Sequence, residues 1–385
     1  MTTTPPGGRW GTVPASLVRG GTSRGVLLPL ESVPPEGPDR DRFLVELMGS
    51  DDPGQTDGFG GNTSTTSKVM MVSHERTGGG NIPYLFAQVD PRNPVVDYGG
   101  NCGNMTAAVA LYAVIEGLVQ PSPPLTEVTL LNMNTDTRIR ATVPTQADGA
   151  EVDGDFRIAG ISTPGPEIVT EYLEPAGQRG QYPTGAPIEI LNVPGVGEIE
   201  VSIVDISSPL VFIRAADVGL SGDELPDQID GDAQLLENLE AIRGAAAVRL
   251  GFVERPEDSA RRTPGIPKLT MVSSPREYRT SLGATVADAD IDILARIMSV
   301  QRAHHAYAMT GALCTAAATK LTGTIPHSLA VPRSADSVRI GHPKGVTTVG
   351  VSVSGNAGEA HVEGVSVSRT ARYLMRGMIR PRTLT

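Results

Sequence analysis

Gly99-Gly-Asn-Cys-Gly-Asn104, followed at once by the apolar run Met105–Val119, decides the fold of the first half of the chain. The run is rich in Ala, Val and Leu and carries a single charge, so it predicts a helix buried at the centre of a domain. Glycines on both sides of Cys102 let backbone N–H groups converge where this helix begins. A helix start of this kind favours a bound anion or a thiolate. A buried structural cysteine in a tight turn is the alternative interpretation.

Short strand-like segments surround the predicted helix. Ser16–Leu28 is apolar on both sides of the polar insert Arg19-Gly-Gly-Thr-Ser-Arg-Gly25, which indicates a strand–loop–strand unit. Further predicted strands in this half are Val69–Val72, Tyr84–Val89 and a hairpin made of Val128–Met133 and Thr137–Val143.

Strand patterns begin again after Pro183–Pro194, a stretch dense in Pro and Gly that we interpret as the domain boundary. We therefore predict domains at 10–190 and 191–385, preceded by a flexible tail at 1–9. Predicted strands are Ile199–Ile206, Leu210–Ile213 and a last hairpin of Val346–Val353 with Gly358–Ser368. Predicted helices are Glu224–Leu250, Asp288–Val300, an Ala-rich helix opened by Met309-Thr-Gly-Ala-Leu-Cys314 and running through Leu321, and a closing helix at Thr370–Met378.

The two halves share a plan of strands, one Ala-rich helix and a cysteine near that helix's N-terminus. Cys102 and Cys314 lie about half the chain apart, and both are beside turns rich in Gly, Thr or Asn. This similarity suggests an internal duplication, although two cysteines beside small residues also arise by coincidence. Packing against the helix is an equally good interpretation of Cys314 taken alone.

Composition narrows the class of protein. The 385 residues carry a net charge of −11, which argues against a nucleic-acid partner, because phosphate binding needs a concentrated basic surface. A few focused cationic groups still suffice to bind a small anion in one cleft. The N-terminus lacks the pattern of a signal peptide, and no apolar run reaches a membrane span, so we expect a cytoplasmic protein without a membrane partner. The six histidines show no HExxH spacing, so no metal is expected.

Two further features have a possible role in chemistry. Lys68 ends the polar run Asn62–Lys68 against an apolar strand, where burial would depress its pKa and let it act as a base. An exposed lysine is the default alternative. The loop Arg19–Gly25 offers arginines and hydroxyls as a clamp for carboxylates, or is simply a solvated hairpin tip. It lacks the ending of a nucleotide-binding P-loop.

Several of these strings resemble the PrpF family, in order along nearly the whole chain. They are Arg19–Gly25, Thr66-Ser-Lys-Val69, Asp97-Tyr-Gly-Gly-Asn-Cys-Gly-Asn104, Pro183-Thr-Gly185, Asp205-Ile-Ser-Ser-Pro-Leu-Val-Phe-Ile-Arg214, Thr310–Cys314, Gly341-His-Pro343 and Arg369–Met375. The resemblance implies an α/β (α+β) fold of two similar diaminopimelate-epimerase-like domains, each a curved, mainly antiparallel sheet around a central helix. The active site would lie between the domains.

The resemblance also implies the chemistry. Family substrates are unsaturated polycarboxylates such as 2-methylaconitate, aconitate, methylitaconate or oxalomesaconate, isomerised without a metal or an organic cofactor. Its catalytic lysine and cysteine fall on Lys68 and Cys102, and Cys314 is a possible second acid or base. The residues expected to bind substrate are Arg19, Gly21, Thr22, Ser23, Arg24, Ser67, Asn101, Gly103, Asn104, Lys268, Thr310 and Gly311.

Two departures from the family pattern bear on the substrate. Arg24 replaces the usual lysine of the first loop, and Ser208-Pro209 replaces the usual Asn-Pro. The mechanism also leaves two roles open for Lys68. It removes the allylic proton, or it stays cationic beside a trianionic substrate and stabilises the dienolate while Cys102 transfers the proton.

Other functions remain open at this point. The fold allows an amino-acid racemase with Cys102 and Cys314 facing each other across the substrate, although the Arg-, Thr- and Ser-rich candidate site suits carboxylates better than an ammonium group. A catalytically silent binding protein is the other alternative. Assembly into a homo-oligomer is possible.

Overall fold

The computed structural model describes residues 10–52, 54–355 and 360–381, and the tail expected at 1–9 lies outside them. The described part of the first half contains two α-helices, α1 (Pro38–Met48) and α2 (Gly103–Ile115). Its strands are β1 (Val13–Gly20), β2 (Ser23–Pro29), β3 (Lys68–Val72), β4 (Ile82–Val89), β5 (Val96–Asp97), β6 (Leu125–Asn132), β7 (Thr137–Gln146), β8 (Gly149–Ala150) and β9 (Ile168–Leu173).

The second half contains α3 (Pro226–Asp230), α4 (Ala233–Arg249), α5 (Ser259–Arg262), α6 (Met309–Lys320) and α7 (Ile325–Leu329). Its strands are β10 (Glu189–Val193), β11 (Gly197–Asp205), β12 (Pro209–Arg214), β13 (Lys268–Ser273), β14 (Tyr278–Arg279), β15 (Thr285–Val286), β16 (Ile293–Ser299), β17 (Arg302–Ala303), β18 (Ser337–His342), β19 (Gly345–Ser354), β20 (His361–Arg369) and β21 (Ala371–Ile379).

The two halves repeat one strand order, which confirms the predicted pair of similar domains with mainly antiparallel sheets. In the first half the order is β1-β2-β3-β4-β6-β7-β9, and only the pairs β2–β3 and β4–β6 are parallel. In the second it is β11-β12-β13-β16-β18-β19-β20, with β12–β13 and β16–β18 parallel. Parallel neighbours therefore occur at the same two places, and the repeat is a duplication of topology.

Each sheet packs around one apolar helix, as the sequence predicts. In α2 every residue from Gly103 to Val114 is buried, and the helix contacts β1, β2, β7 and β9. Its counterpart α6 contacts β11, β12, β18 and β19, and the two helices also touch each other. A helix that is apolar all round is stable only inside a domain, which explains why both are central.

Two predicted helices are wrong. The segment Asp288–Val300 contains strand β16, whose first six residues are all buried between the neighbouring strands β13 and β18. A strand buried on both faces reads as a continuous apolar run, which periodicity alone does not distinguish from a buried helix. The closing segment Thr370–Met378 is strand β21, which pairs with β1.

Strand pairing also crosses the predicted boundary at residue 190. β21 joins the first sheet at β1, and β20 lies antiparallel to β9, so one continuous set of strands links the two halves. The division into 10–190 and 191–385 stays a prediction. The predicted strands and hairpins of the first half are confirmed, whereas α1 was not foreseen.

Candidate active site

Cys102 is the N-cap residue of α2 and has extended backbone geometry. Its N–H donates to Asn101 Oδ1 at 2.7 Å, and its carbonyl accepts the N–H of Thr106 at 2.9 Å. The first N–H groups of an α-helix have no partner within the helix, and the helix dipole is positive at that end. The thiol, in a residue only 8% exposed, therefore lies beside a potential anion site.

Gly103 allows the two central helices to approach each other at this point. A Cβ atom at Gly103 would lie 2.9 Å from Cγ of Met309, the first residue of α6, and 3.0 Å from the Tyr172 hydroxyl. Any larger residue would push the helix starts apart. The glycine after Cys102 therefore serves helix packing.

Lys68 is the first residue of β3, and its ammonium group is buried next to Cys102. Nζ donates to Gln88 Oε1 at 2.5 Å and lies 5.3 Å from the centre of the Phe86 ring. Burial lowers the pKa of Lys68, and the interaction with the Cys102 side chain partly offsets that decrease. The structure thus brings together the lysine and cysteine that the sequence singled out.

Lys268 is the first residue of β13 and reaches the same cavity from the second half. Its Nζ donates to the carbonyl of Gly265 at 2.9 Å. Burial, helped by repulsion from Lys68, lowers the pKa of Lys268 to about 8, although the nearby Asp97 raises it. Asp97 itself accepts the N–H groups of Gly99 at 2.7 Å and Gly265 at 2.6 Å.

These groups enclose a small space, which we call the central cavity, with a volume of about 40 Å³. It is lined by Ser23, Lys68, Phe86, Gln88, Asp97, Gly100, Asn101, Cys102, Asn104, Gly265, Ile266, Lys268, Ser299, Val300, His304, Ala308, Met309 and Thr310. The starts of both central helices, at Cys102 and Ala308, face it. Two lysines against a single carboxylate, with two helix N-termini, suit a ligand with several negative charges.

His304 in this cavity is held neutral. Burial, together with the charges of Lys68, His305 and Lys268, lowers the pKa of His304 to about 3. Its Nδ1 accepts the N–H of Ala306 at 3.1 Å. His304 is therefore a neutral hydrogen-bonding group at neutral pH.

The loop Arg19–Gly25 contacts residues of the site but lies mostly outside the central cavity. Arg19 donates to the carbonyls of Gly21 and Thr370 and to the Thr370 hydroxyl, each at 3.0 Å, and does not line the central cavity. The Thr22 hydroxyl accepts a hydrogen bond from Nδ2 of Asn104 at 3.1 Å. At Gly21, where φ is +51°, a Cβ atom would lie 2.0 Å from Asn104 Oδ1. Of this loop only Ser23 lines the cavity.

Three other residues that were expected to bind substrate, Ser67, Arg24 and Gly311, do not line the central cavity. Ser67 donates to Gln55 Oε1 at 2.8 Å, and a Cβ atom at Gly61 would lie 3.1 Å from the Arg24 guanidinium. Gly311 packs against Ile297, since a Cβ atom there would lie 2.4 Å from Cδ1. Ser208, the departure from the family pattern, is buried beside a different cavity.

Cys314 lies away from the central cavity. It is the sixth residue of α6, fully buried, and its Sγ donates to the carbonyl of Val204 at 3.4 Å. Burial raises the pKa of its thiol well above the ordinary range. Counting from the helix starts, the counterpart of Cys102 is Ala308, so the two cysteines are not equivalent positions of the repeat.

Sequence reasoning missed Arg369, the last residue of β20. It is 6% exposed and donates to Asn104 Oδ1 at 3.2 Å, to Met309 Sδ at 3.0 Å and to the carbonyl of Ser368 at 2.8 Å. One guanidinium thus ties the first turn of α2 to the first residue of α6. Among the described residues no carboxylate offsets its charge, and burial lowers its pKa to about 9. Gln88, Asp97 and His304 were missed as well.

Residues 10–52, 54–355 and 360–381 contain neither a metal-binding cluster nor a membrane-spanning helix. Within those ranges no three His, Cys, Asp or Glu side chains gather where they would hold a metal ion. None of the helices described there is long and apolar enough to cross a membrane.

Known proteins resemble this chain along nearly its whole length. Residues 11–382 match the family model described as PrpF protein. The 2-methyl-aconitate isomerase of Shewanella oneidensis is 37% identical, with 96% of each chain covered. The 3-methylitaconate isomerase of Eubacterium barkeri is 36% identical over 95% of this chain and 96% of that protein. The 4-oxalomesaconate tautomerase of Pseudomonas putida is 34% identical over 95% of each.

Solved structures show the same relation. A crystal structure of methylitaconate-delta-isomerase superposes with a TM-score of 0.76 at 34% identity, covering 96% of this chain and 95% of that one. A hydroxyproline epimerase from Agrobacterium vitis, 12% identical, has a TM-score of 0.54 over 96% and 92% of the chains and shows the two-domain epimerase-like fold alone. With a family model that matches almost end to end and relatives above 30% identity over the same length, the chain belongs to the PrpF family.

Proposed function

We propose that this isomerase acts on small unsaturated di- or tricarboxylates of the 2-methylaconitate and aconitate type, by removing and returning an allylic proton without a metal or organic cofactor. The observation that carries the proposal is the contact of Lys68 with Cys102 in a buried cavity that both central helix N-termini and Lys268 face. The product differs in alkene geometry or in alkene position. The names of the relatives support both outcomes, since they include isomerases of 2-methylaconitate and 3-methylitaconate and a tautomerase of 4-oxalomesaconate.

The chemistry requires both a base and a site for negative charge. When a base takes the allylic proton, the C–H electron pair enters the conjugated system and the charge spreads to a carboxylate as a dienolate. Rotation and return of the proton to the same carbon give the other geometric isomer, whereas its return to the far carbon shifts the double bond. In this proposal Lys268 and the N–H groups of the first turn of α2, which lie at the cavity, stabilise the dienolate.

Lys68 is the proposed base. Its pKa is lowered by burial, which increases the fraction of neutral amine that accepts a proton. A trianionic substrate raises that pKa again, and this favours the alternative in which cationic Lys68 stabilises the dienolate and Cys102 transfers the proton. Exchange measurements on Lys68 and Cys102 variants separate the two roles.

The size of the central cavity implies a movement. A volume of about 40 Å³ leaves space for a few water molecules and is too small for a tricarboxylate. We infer that the two halves part to admit substrate and close around it, which removes water from the reacting carbons.

An amino-acid racemase with two thiols is less consistent with the site. Cys314 is buried against Val204, and the start of α6 offers Ala308 where a second thiol would be needed. The cavity also contains two lysines and one carboxylate among its described residues, which suits carboxylates better than an ammonium group.

A substrate panel tests the proposed function. The purified protein should change the ultraviolet absorbance of at least one of trans-aconitate, cis-aconitate, 2-methylaconitate, methylitaconate and 4-oxalomesaconate, because isomerisation alters the conjugation. A parallel panel of amino acids, followed by optical rotation, should show no change. Racemisation of an amino acid with no effect on any alkene would overturn the proposal.

The pH dependence of kcat/KM should report the charge state of Lys268. Its pKa is lowered from the ordinary lysine value to about 8, so the side chain is cationic below that pH and neutral above it. We expect kcat/KM to fall as the pH rises through about 8, because the neutral amine no longer attracts a carboxylate. The same profile for Lys268→Arg, whose guanidinium stays charged, should lack this decrease up to pH 10. An unchanged decrease in Lys268→Arg would show that another group titrates.

A further inference from the structure

The duplicated topology places two lysines at equivalent positions. Lys68 is the first residue of β3, which is parallel to β2 and antiparallel to β4. Lys268 is the first residue of β13, which is parallel to β12 and antiparallel to β16. Both side chains line the central cavity, one from each half of the molecule. The repeat therefore places one lysine amine from each half of the molecule at the central cavity.

The repeat does not place a thiol at the start of both central helices. Cys102 caps α2, whereas Ala308 occupies the corresponding place at the start of α6. Of the two expected catalytic side chains, Lys68 therefore has a counterpart of the same type in the second half, whereas Cys102 does not.

We propose that Lys268 is a second catalytic residue, which donates a proton to the carbon at the far end of the dienolate from the one that Lys68 deprotonates. This inference rests on the proposed function and deepens it, because a pair of proton-transfer groups on opposite sides serves a double-bond shift. A cis–trans isomerisation needs only one such group.

The protons and electron pairs balance. Neutral Lys68 takes the allylic proton, and the C–H pair enters the dienolate. The Lys268 ammonium then gives a proton to the other terminus, where a new C–H bond forms, and the N–H pair returns to Lys268 as its lone pair. Lys68 ends as an ammonium and Lys268 as an amine, and exchange of one proton each with water restores the starting state.

The surroundings of Lys268 fit a proton donor. An ammonium has three N–H donors, and among the residues that the structure describes Lys268 uses one of them, toward the Gly265 carbonyl. The other two are available for substrate in the cavity. Asp97 favours the protonated form, whereas burial and Lys68 oppose it, so the ammonium is held in a state from which it readily loses its proton.

Two substitutions separate donation of a proton from binding of a carboxylate. Lys268→Arg keeps the charge but gives up no proton near neutral pH, and Lys268→Met removes both functions. In Lys268→Arg we expect kcat for the double-bond shift to fall by about 10²- to 10⁴-fold, with a much smaller change in KM. In deuterated water this variant should still incorporate deuterium at the allylic carbon of the substrate, because Lys68 is intact. Lys344→Arg, outside the cavity, is the matched control and should behave as wild type.

The origin of the new C–H bond provides a second readout. With substrate deuterated at the allylic carbon and ordinary water as solvent, two proton-transfer groups predict a shifted product that carries solvent hydrogen at its new position. Transfer of the label from one carbon to the other would show that a single group carries the proton and would overturn the proposal. So would wild-type kcat in Lys268→Arg. Absence of both exchange and isomerisation in the wild-type protein would instead contradict the proposed function itself.

Discussion

Replacing Lys68 by methionine is expected to lower kcat about a thousandfold, within the 10²- to 10⁴-fold range that general acid–base groups contribute. Methionine approximates the length of the lysine stem and keeps an apolar contact with Phe86, so the cavity should stay closed. The variant also leaves Gln88 Oε1 without its donor, although the Gln88 amide still donates to the carbonyl of Ser67 at 2.9 Å. Steady-state kinetics on the best substrate of the panel measures the loss.

A control for Lys68→Met comes from a lysine outside the cavity. Lys344→Met should retain wild-type kcat, and both variants should unfold within a few degrees of the wild-type protein. A Lys68→Met protein that keeps more than a tenth of the wild-type kcat and unfolds normally would contradict both roles considered for Lys68.

Replacing Arg369 by methionine should reduce kcat/KM about a hundredfold while barely changing stability. The substitution breaks the link between Asn104 and Met309, and displacement of catalytic groups by about 1 Å costs roughly this factor. Removal of a desolvated cation without a carboxylate partner is favourable, whereas the Asn104 amide loses a hydrogen bond, which costs about 1–3 kcal/mol. These two effects on the free energy of unfolding oppose each other.

Thermal unfolding and kinetics together test the role of Arg369. Arg372→Met, an exposed position on the adjacent strand β21, is the matched control and should leave activity unchanged. Arg369→Lys should recover little activity, since an ammonium does not reach Asn104 and Met309 at once. A proportional loss of stability and activity in Arg369→Met would mean that the residue only holds the fold together.

The parts of the site that could be predicted lie within short segments of sequence. Cys102 stands out because its Gly- and Asn-rich turn precedes an apolar helix, and both signals are local. Lys68 is ambiguous from its own segment, since the polar run before it is equally typical of a surface loop. It gained weight only from the resemblance to the PrpF family.

The remaining parts of the site depend on contacts between distant segments. Arg369 and Asn104 are far apart in sequence. They meet because β20, which ends at Arg369, pairs with β9 and so joins the sheets of the two halves. The charged residues of Thr370–Met378 give a helical pattern, yet the edge of β1 is available there and the segment pairs with it as a strand. The equivalence of Lys68 and Lys268 was not predicted, although Lys68-Val-Met-Met-Val-Ser73 and Lys268-Leu-Thr-Met-Val-Ser273 share Lys, Met, Val and Ser at the same offsets. The strand order shows that both segments begin equivalent strands of the two sheets.

Proton NMR in deuterated water tests the central claim most directly, with the best substrate of the panel and the wild-type, Lys68→Met and Cys102→Ser proteins. We expect the wild-type protein to incorporate deuterium at the allylic carbon at least as fast as it forms product, and Lys68→Met to show neither process at a comparable rate. A wild-type rate of isomerisation or of deuterium incorporation in Lys68→Met would contradict allylic proton transfer by Lys68.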